Sequence, residues 1–400
     1  ITGAYETAQL FLGWKPNLRL YQETSGKNAL IVTAMADRDQ AIKDLVASAF
    51  GHAGQKCSAS SLGILEAEVY TDETFRRQLR DTAESLYVGP ATDPVSKVTP
   101  VIRLPDAKLK RALTTLEPGE EWLLEPRNLG VNTWTPGIKL GVKPGSFFHK
   151  TEVFGPVLGL MRADNLDHAI ELQNAVDYGL TGGIHSLDDR EVNYWAARVQ
   201  VGNAYTNRGT TGAIVQRQPF GGWKKSAFGH AKAGGPNYTW SLGTWHDTAD
   251  TPLDAVRRSY QAAWDSHFSQ EHDPSDLHGE ANLFRYRPLS RVLIYAPDGS
   301  DGFDEKRAAL AAEICGVPSE VVRDEATLLR MMNDPAYKYD QRVRVLVPVS
   351  DTVRDAAIVA HIERVEDPVA SSGRLELRHY LKEQSLTVTT HRYGNVVQRR

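Results

Sequence analysis

Apolar positions along the chain repeat with two different periods. Asn28–Ala34, "NALIVTA", is an almost unbroken apolar run of strand length, as expected of a strand buried on both faces. In the segment that follows, "DRDQAIKDLVASAF", apolar residues fall at positions 41, 42, 45, 46, 49 and 50. That spacing predicts a helix with one buried face. Asp37, three residues before Gln40, predicts a start of the capping-box type, and Gly51 and Gly54 predict the stop. Leu62–Tyr70 reads as a second strand, and "DETFRRQLRDTAESLYVG" as a helix stopping near Gly89. Strand and helix alternate, which predicts an α/β architecture.

The pattern breaks between 246 and 282. Two polar, acidic, His-containing segments flank one amphipathic helix, "AVRRSYQAAW", and the stretch reads as a linker. A second α/β unit follows it. Arg291–Pro297 and Val343–Val349 read as strands, "DEKRAALAAEICG" as a helix ending at Gly316, and "DTVRDAAIVAHIERV" as another helix. Neither repeats nor low-complexity tracts interrupt the pattern.

Composition narrows the function classes. The chain has 400 residues, enough for two or three domains, with 41% hydrophobic and 24% charged residues. A net charge of −4 gives no basic surface for nucleic acid. No apolar run reaches the roughly 20 residues of a membrane span. Two distant cysteines, Cys57 and Cys315, fit a reducing compartment, so a cytoplasmic location is expected. Cys315 lies in an Ala-rich helix and reads as a core residue. The histidines lack metal-ligand spacing, and no metal site is expected.

Four segments could carry chemistry. In "GHAGQKCSASS", Cys57 follows a Gly-terminated helix on a loop, where it is either an inert structural thiol or a nucleophile. In "YQETSGKNALIV", Glu23 is either a solvated strand-end carboxylate or a general base. In "KTEVFGPVLGL", Glu152 and Phe154 either mark a turn or meet a cofactor, the carboxylate on a ribose diol and the ring on a nicotinamide. The Gly-rich stretch 202–229 is either a pair of loops or a place where backbone approaches a ligand.

Taken together, these segments occur in the order and spacing of the aldehyde dehydrogenase superfamily. "ITGAYETA" resembles the family segment that lies against the cofactor, and "PFGGWKKSAFG" resembles its late Pro-Phe-Gly-Gly motif. The resemblance covers about residues 1–245. Within the superfamily, "ETSGKNALIV", "ASAFGHAGQKCSA" and "GNAYTNRGTTGAIVQRQPFGG" resemble L-glutamate γ-semialdehyde dehydrogenases, including the module in long proline utilization A-type proteins. "GEANLFRYRPLSRVLIYAP" and "HRYGN" resemble the start and end of the extra C-terminal domain of such proteins.

The resemblance implies an α/β fold. An aldehyde dehydrogenase catalytic domain would occupy 23–232, after the tail of a Rossmann-type NAD-binding domain in 1–22. A return and oligomerisation segment would follow at 233–250, a linker at 251–285, and a second, Rossmann-like α/β domain without an active site at 286–400. It implies NAD-dependent oxidation of L-glutamate γ-semialdehyde to L-glutamate, the second step of proline catabolism. Cys57 would be the nucleophile and Glu23 the base that hydrolyses the thioester. Ser58, Gly212, Ala213 and Phe220 would hold the small-molecule substrate, and Thr2, Gly3, Thr24, Glu152 and Phe154 the NAD. Ala4 departs from the family serine, which removes one hydroxyl facing the cofactor phosphates. The family's oxyanion asparagine and most of its NAD-binding domain have no counterpart here, so the chain is expected to be the C-terminal part of a longer homo-oligomeric enzyme and inactive in isolation. An FAD-binding proline-oxidising domain would lie upstream. Two alternatives stay open, a dehydrogenase for another small aldehyde and a non-catalytic structural or oligomerisation module.

Overall fold

A computed structural model describes residues 1–229, 231–248 and 250–393, together with the backbone of 395 and 396. The "HRYGN" motif therefore lies partly outside the described residues. The chain divides into two compact units. One comprises Ser25–Ile214, Asp276–Ala281 and Leu386–Arg400, and the other Ile1–Thr24, Val215–Ser275 and Asn282–Ser385.

The first unit is built on a sheet with β1 (Asn28–Val32), β2 (Ser60–Glu66), β3 (Glu121–Leu124), β4 (Gly137–Leu140), β5 (Val157–Ala163), β6 (Thr181–His185) and β7 (Asn203–Thr206). The spatial order is β7-β6-β1-β2-β5-β4-β3, and the strand containing Leu386–Thr389 lies beside β7. All neighbours among β1–β7 are parallel except the β3–β4 pair. Every residue of β1 is buried, as its apolar run predicts for a strand inside a parallel sheet. The helix Arg38–Phe50 buries all six positions that its periodicity selects. Asp37 caps it by accepting from the Gln40 N–H at 3.2 Å. The Gln40 side chain does not return the bond. It donates instead to the Asn207 carbonyl at 2.9 Å, so this is a single cap rather than a reciprocal box.

Two boundaries differ from the sequence reading. The second strand runs over Ser60–Glu66, and Ala67–Thr71 turns into a short helix. Glu66 closes the strand with a side-chain carboxylate that accepts from the Ala34 N–H at 2.7 Å. The next helix is Glu73–Glu84, capped by Asp72, and it stops before Val88 pairs with Val98.

The second unit holds a four-stranded parallel sheet in the order Ser319–Val322, Arg291–Tyr295, Gln341–Val345, Glu363–Val365. Helices Gly302–Ile314, Glu325–Met332 and Asp351–Ala360 connect its strands, giving the expected Rossmann-like α/β arrangement. The last of these helices is shorter than its periodicity suggests. His361 takes a left-handed conformation, with φ 55°, and ends it, and the following residues become a strand. Cys315 is buried, as its Ala-rich helix predicts, and burial pushes its thiol well up. The stretch read as a linker behaves differently. Its helix, Leu253–Ala263, buries Val256, Tyr260 and Ala263 with Phe268, Val292 and Ile294 in the core of this unit. Its amphipathic face is a packing surface, and the polar flanks hid that. A smaller sheet places Gln22–Thr24 between Thr2–Gly3 and Ala227–Phe228.

Candidate active site

In the first unit, the residues before Cys57 form a strained turn. His52 and Ala53 both sit at left-handed φ, 56° and 55°, inside the turn Gly51–Gly54. Such residues cost on the order of 1 kcal/mol each and persist only where neighbours over-determine them. Those neighbours are identifiable. Gly54, with φ +68°, lies so close to the Gly155 carbonyl that an added Cβ would stand 2.3 Å from its oxygen. The Gln55 side chain donates to the Phe154 carbonyl at 3.1 Å and accepts from the Ile102 N–H at 2.9 Å. The loop that carries Cys57 is thereby tied to the segment that carries Phe154.

After the turn, Asn28 fixes the loop's exit. Its amide nitrogen donates to the Cys57 carbonyl at 2.7 Å and to the Ala59 carbonyl at 2.9 Å, while its oxygen accepts from the Thr181 N–H at 3.0 Å. Gly26 lies under the same carbonyl, where a Cβ would stand 2.6 Å from the Cys57 oxygen. Only glycine permits that approach. Cys57 is half-buried and forms no disulfide. Ser58 is buried, and its carbonyl accepts from Thr210 Oγ1 at 2.9 Å and Thr181 Oγ1 at 3.2 Å. Thr210 is held in turn by its N–H to Ser48 Oγ at 3.0 Å. Of the loop Thr210–Ala213, it is Thr210 that meets the Cys57 segment, through Ser58. Gly212 and Ala213 are exposed, with Gly212 at φ +89° and open space where its Cβ would be.

Glu152 reaches the same region. Its carboxylate accepts from the Gly26 N–H at 2.7 Å. Gly26, Lys56, Ala59, Glu152 and Phe154 line one small cleft. Phe154 is exposed, with φ 51°, next to the Gly155–Pro156 turn. Behind Glu152 lies Lys27, fully buried, with Nζ 4.1 Å from the centre of the Phe148 ring. Burial draws its ammonium down to about 7, against the attraction of Glu152. The structure thus brings Cys57, Ser58, Glu152 and Phe154 into one neighbourhood of this unit.

The second unit contains Glu23, Thr24, Thr2, Gly3 and Phe220. Thr2 pairs with Glu23 and Gly3 with Thr24 in parallel register, while Ala227 pairs with Glu23 from the other side. Thr24 is buried, and its hydroxyl donates to the Lys225 carbonyl at 2.9 Å. The Glu23 carboxylate accepts from the Gly222 N–H at 3.2 Å. A Cβ at Gly221 would stand 2.5 Å from Glu23 Oε1 and displace the carboxylate, so the glycine leaves Glu23 its place. Phe220 forms a two-bond bridge with Ala233, at 3.0 and 2.9 Å, that sets the Gly-Gly turn beneath the carboxylate. Burial raises the Glu23 carboxyl to about 8, with Lys232 as the main opposing influence. A carboxyl near neutrality suits proton transfer better than one that is always ionised.

Asn28, Gly26, Thr181, Thr210, Lys232 and Glu383 did not emerge from the sequence. One signal was available for Asn28, a polar residue opening an otherwise apolar buried strand. The other residues are joined to their partners only by long-range folding.

Comparison with known proteins adds three findings. Residues 2–241 match the model of the aldehyde dehydrogenase family. Relatives named 1-pyrroline-5-carboxylate dehydrogenase, from Geobacillus sp. (strain WCH70) and Bacillus subtilis (strain 168), are 37% and 36% identical over 225 residues. Those alignments cover 55% of this chain and 43% of each relative, so the chain spans less than half their length. Among solved structures, proline utilization A from Corynebacterium freiburgense is similar at 45% identity and TM-score 0.90, over 99% of this chain and 42% of that one. The 1-pyrroline-5-carboxylate dehydrogenase from Thermus with bound NAD is similar at 34% identity and TM-score 0.54, over 60% of this chain and 48% of that one.

Proposed function

The chain belongs to the aldehyde dehydrogenase family, and from that membership we propose that it supplies the nucleophile and the base of a longer NAD-dependent enzyme that oxidises L-glutamate γ-semialdehyde to L-glutamate. The observation that carries the reading is the hold on the Cys57 loop, where Asn28 and Gly26 fix the Cys57 carbonyl from two sides. Such a hold is needed when a thiol must meet a carbonyl carbon at one geometry. The relatives' names, the Thermus neighbour's bound NAD and the proline utilization A neighbour support the substrate, the cofactor and the longer context.

In this reading the Cys57 thiolate adds to the aldehyde carbon and forms a thiohemiacetal. The Cys57 N–H faces the developing oxyanion. NAD, when bound, supplies the hydride acceptor that makes the thiohemiacetal a thioester. Glu23 then takes a proton from water as the water oxygen attacks the thioester carbon. The C–S bond breaks, the thiolate returns, and glutamate leaves. Glu152 and Phe154 fit the cofactor by chemistry, because a partly exposed carboxylate offers a diol acceptor and an exposed ring a flat apolar face. The exposed edge residues Thr2 and Gly3 permit close backbone approach, whereas Thr24 is buried in the middle strand and would act through that sheet. Ser58 would receive the far carboxylate of the substrate.

The test is NADH formation by the full natural chain that contains these residues, with glutamate semialdehyde beside propionaldehyde. The semialdehyde should be preferred at least tenfold in kcat/KM. Ser58→Ala should raise KM for the semialdehyde about tenfold, as expected for one lost charge-assisted hydrogen bond, and leave propionaldehyde nearly unchanged. Equal use of both aldehydes would favour a dehydrogenase of another small aldehyde.

A further inference from the structure

Lys232 lies beside Glu23 although 209 positions separate them, and a third charge, Glu383, comes from a strand 151 positions further on. All three line one cleft of the second unit. Lys232 is buried, and its ammonium donates to the Gly221 carbonyl, the residue next to the Gly222 N–H that Glu23 accepts. The Lys232 main-chain N–H donates to Glu383 at 2.8 Å, and Asn237 donates to the other Glu383 oxygen at 2.7 Å. The Glu383 carbonyl accepts from the Trp223 indole at 2.8 Å. Glu383 thus ties down both Trp223, which follows the Gly221–Gly222 turn against Glu23, and Lys232.

We propose that Lys232 is a positioning residue for Glu23, holding it as the carboxylate that receives the proton from water, and that Glu383, from the strand Leu381–Thr389, keeps Lys232 charged and in place. This rests on the reading of Glu23 as the base. A buried carboxylate without a countercharge would keep its proton, and a buried ammonium without one would lose it. The directions agree with this geometry. Burial raises Glu23 and draws Lys232 down, while each acts on the other in the opposite sense. The other influences on Glu23 are the Gly222 N–H, the Ile1 amino group and Glu383. Lys224, Tyr339, Lys382, Arg342, Glu363 and His361 line the same cleft and are unchanged in every variant below.

The inference gives residues of the C-terminal α/β region a part in the chemistry without giving that region a site of its own. Its test is stopped-flow NADH formation by the full natural chain as a function of pH. Lys232→Met should keep the first-turnover burst, while the steady rate at pH 7.5 falls at least tenfold and its pH midpoint moves up by at least one unit. Lys232→Gln, which can still donate to the Gly221 carbonyl, should do the same and serves if the Met variant does not fold. Lys232→Arg should restore the midpoint to within half a unit. Glu383→Gln should lower the steady rate about threefold or more with the burst intact. Unmoved midpoints in both neutral Lys232 variants, with Glu23→Gln stalled after its burst, would overturn the inference alone. An unchanged Glu383→Gln would remove Glu383 from it. Full steady turnover by Glu23→Gln would overturn the underlying reading.

Discussion

The bonds that hold the Cys57–Ser58 backbone come from an amide and two hydroxyls to main-chain carbonyls, whereas the groups that act on the Glu23 carboxylate include an ammonium and a second carboxylate. The difference fits the roles proposed for the two groups. On the proposed reading, a thiolate is intrinsically a strong nucleophile and has to be placed, which the backbone clamp by Asn28, Gly26 and Thr210 provides. A carboxylate base is defined by whether it holds a proton, so its surroundings are charged. Position is fixed in the one place and protonation in the other.

Removing the reacting group breaks the comparison outright. Cys57→Ala should lower dehydrogenase turnover of the full natural chain at least a thousandfold, because no neighbouring group replaces the thiol. Cofactor binding, followed by fluorescence quenching, should remain. Retention of a tenth of the rate would reassign the nucleophile.

The clamp comes next. Asn28→Ala leaves the Cys57 and Ala59 carbonyls and the Thr181 N–H without their side-chain partner. We expect a loss of about 2–4 kcal/mol in stability by denaturant unfolding and a fall of roughly ten- to a hundredfold in kcat. A variant of normal kcat would show that the clamp serves folding alone.

The smallest effect sharpens the other half. A Glu23 carboxyl raised to about 8 gains its base form as pH rises through that value. The steady rate should therefore rise with pH, level off above about 8, and fall up to tenfold per unit below it. The first-turnover burst should not share that midpoint. A steady rate flat from pH 6 to 9 would contradict the assignment.

Much of this was legible in the sequence, for physical reasons. The helix Arg38–Phe50 was readable because a one-sided core imposes a 3.6-residue period, and β1 because both of its faces are covered. Resemblance placed Cys57 and Glu152 in a common neighbourhood, which no local pattern could have done. The helix Leu253–Ala263 carries a buried face in its own periodicity, but its polar flanks give the stretch the character of a linker in sequence. The Glu23 surroundings were not legible. Gly221 belongs to the Pro-Phe-Gly-Gly motif, but Lys232 and Glu383 are ordinary residues in sequence and acquire meaning only when segments far apart in the chain meet at one carboxylate.

The account rests most heavily on the division of work between Cys57 and Glu23, and one measurement addresses it directly. Glu23→Gln in the full natural chain, mixed rapidly with saturating NAD and glutamate semialdehyde, should give a burst of about one NADH per active site. A steady rate at least a hundredfold below the unaltered enzyme should follow, because the thioester forms and is not hydrolysed. Loss of the burst together with the steady rate would show that Glu23 is needed before hydride transfer, and would contradict its assignment as the base that acts on the thioester.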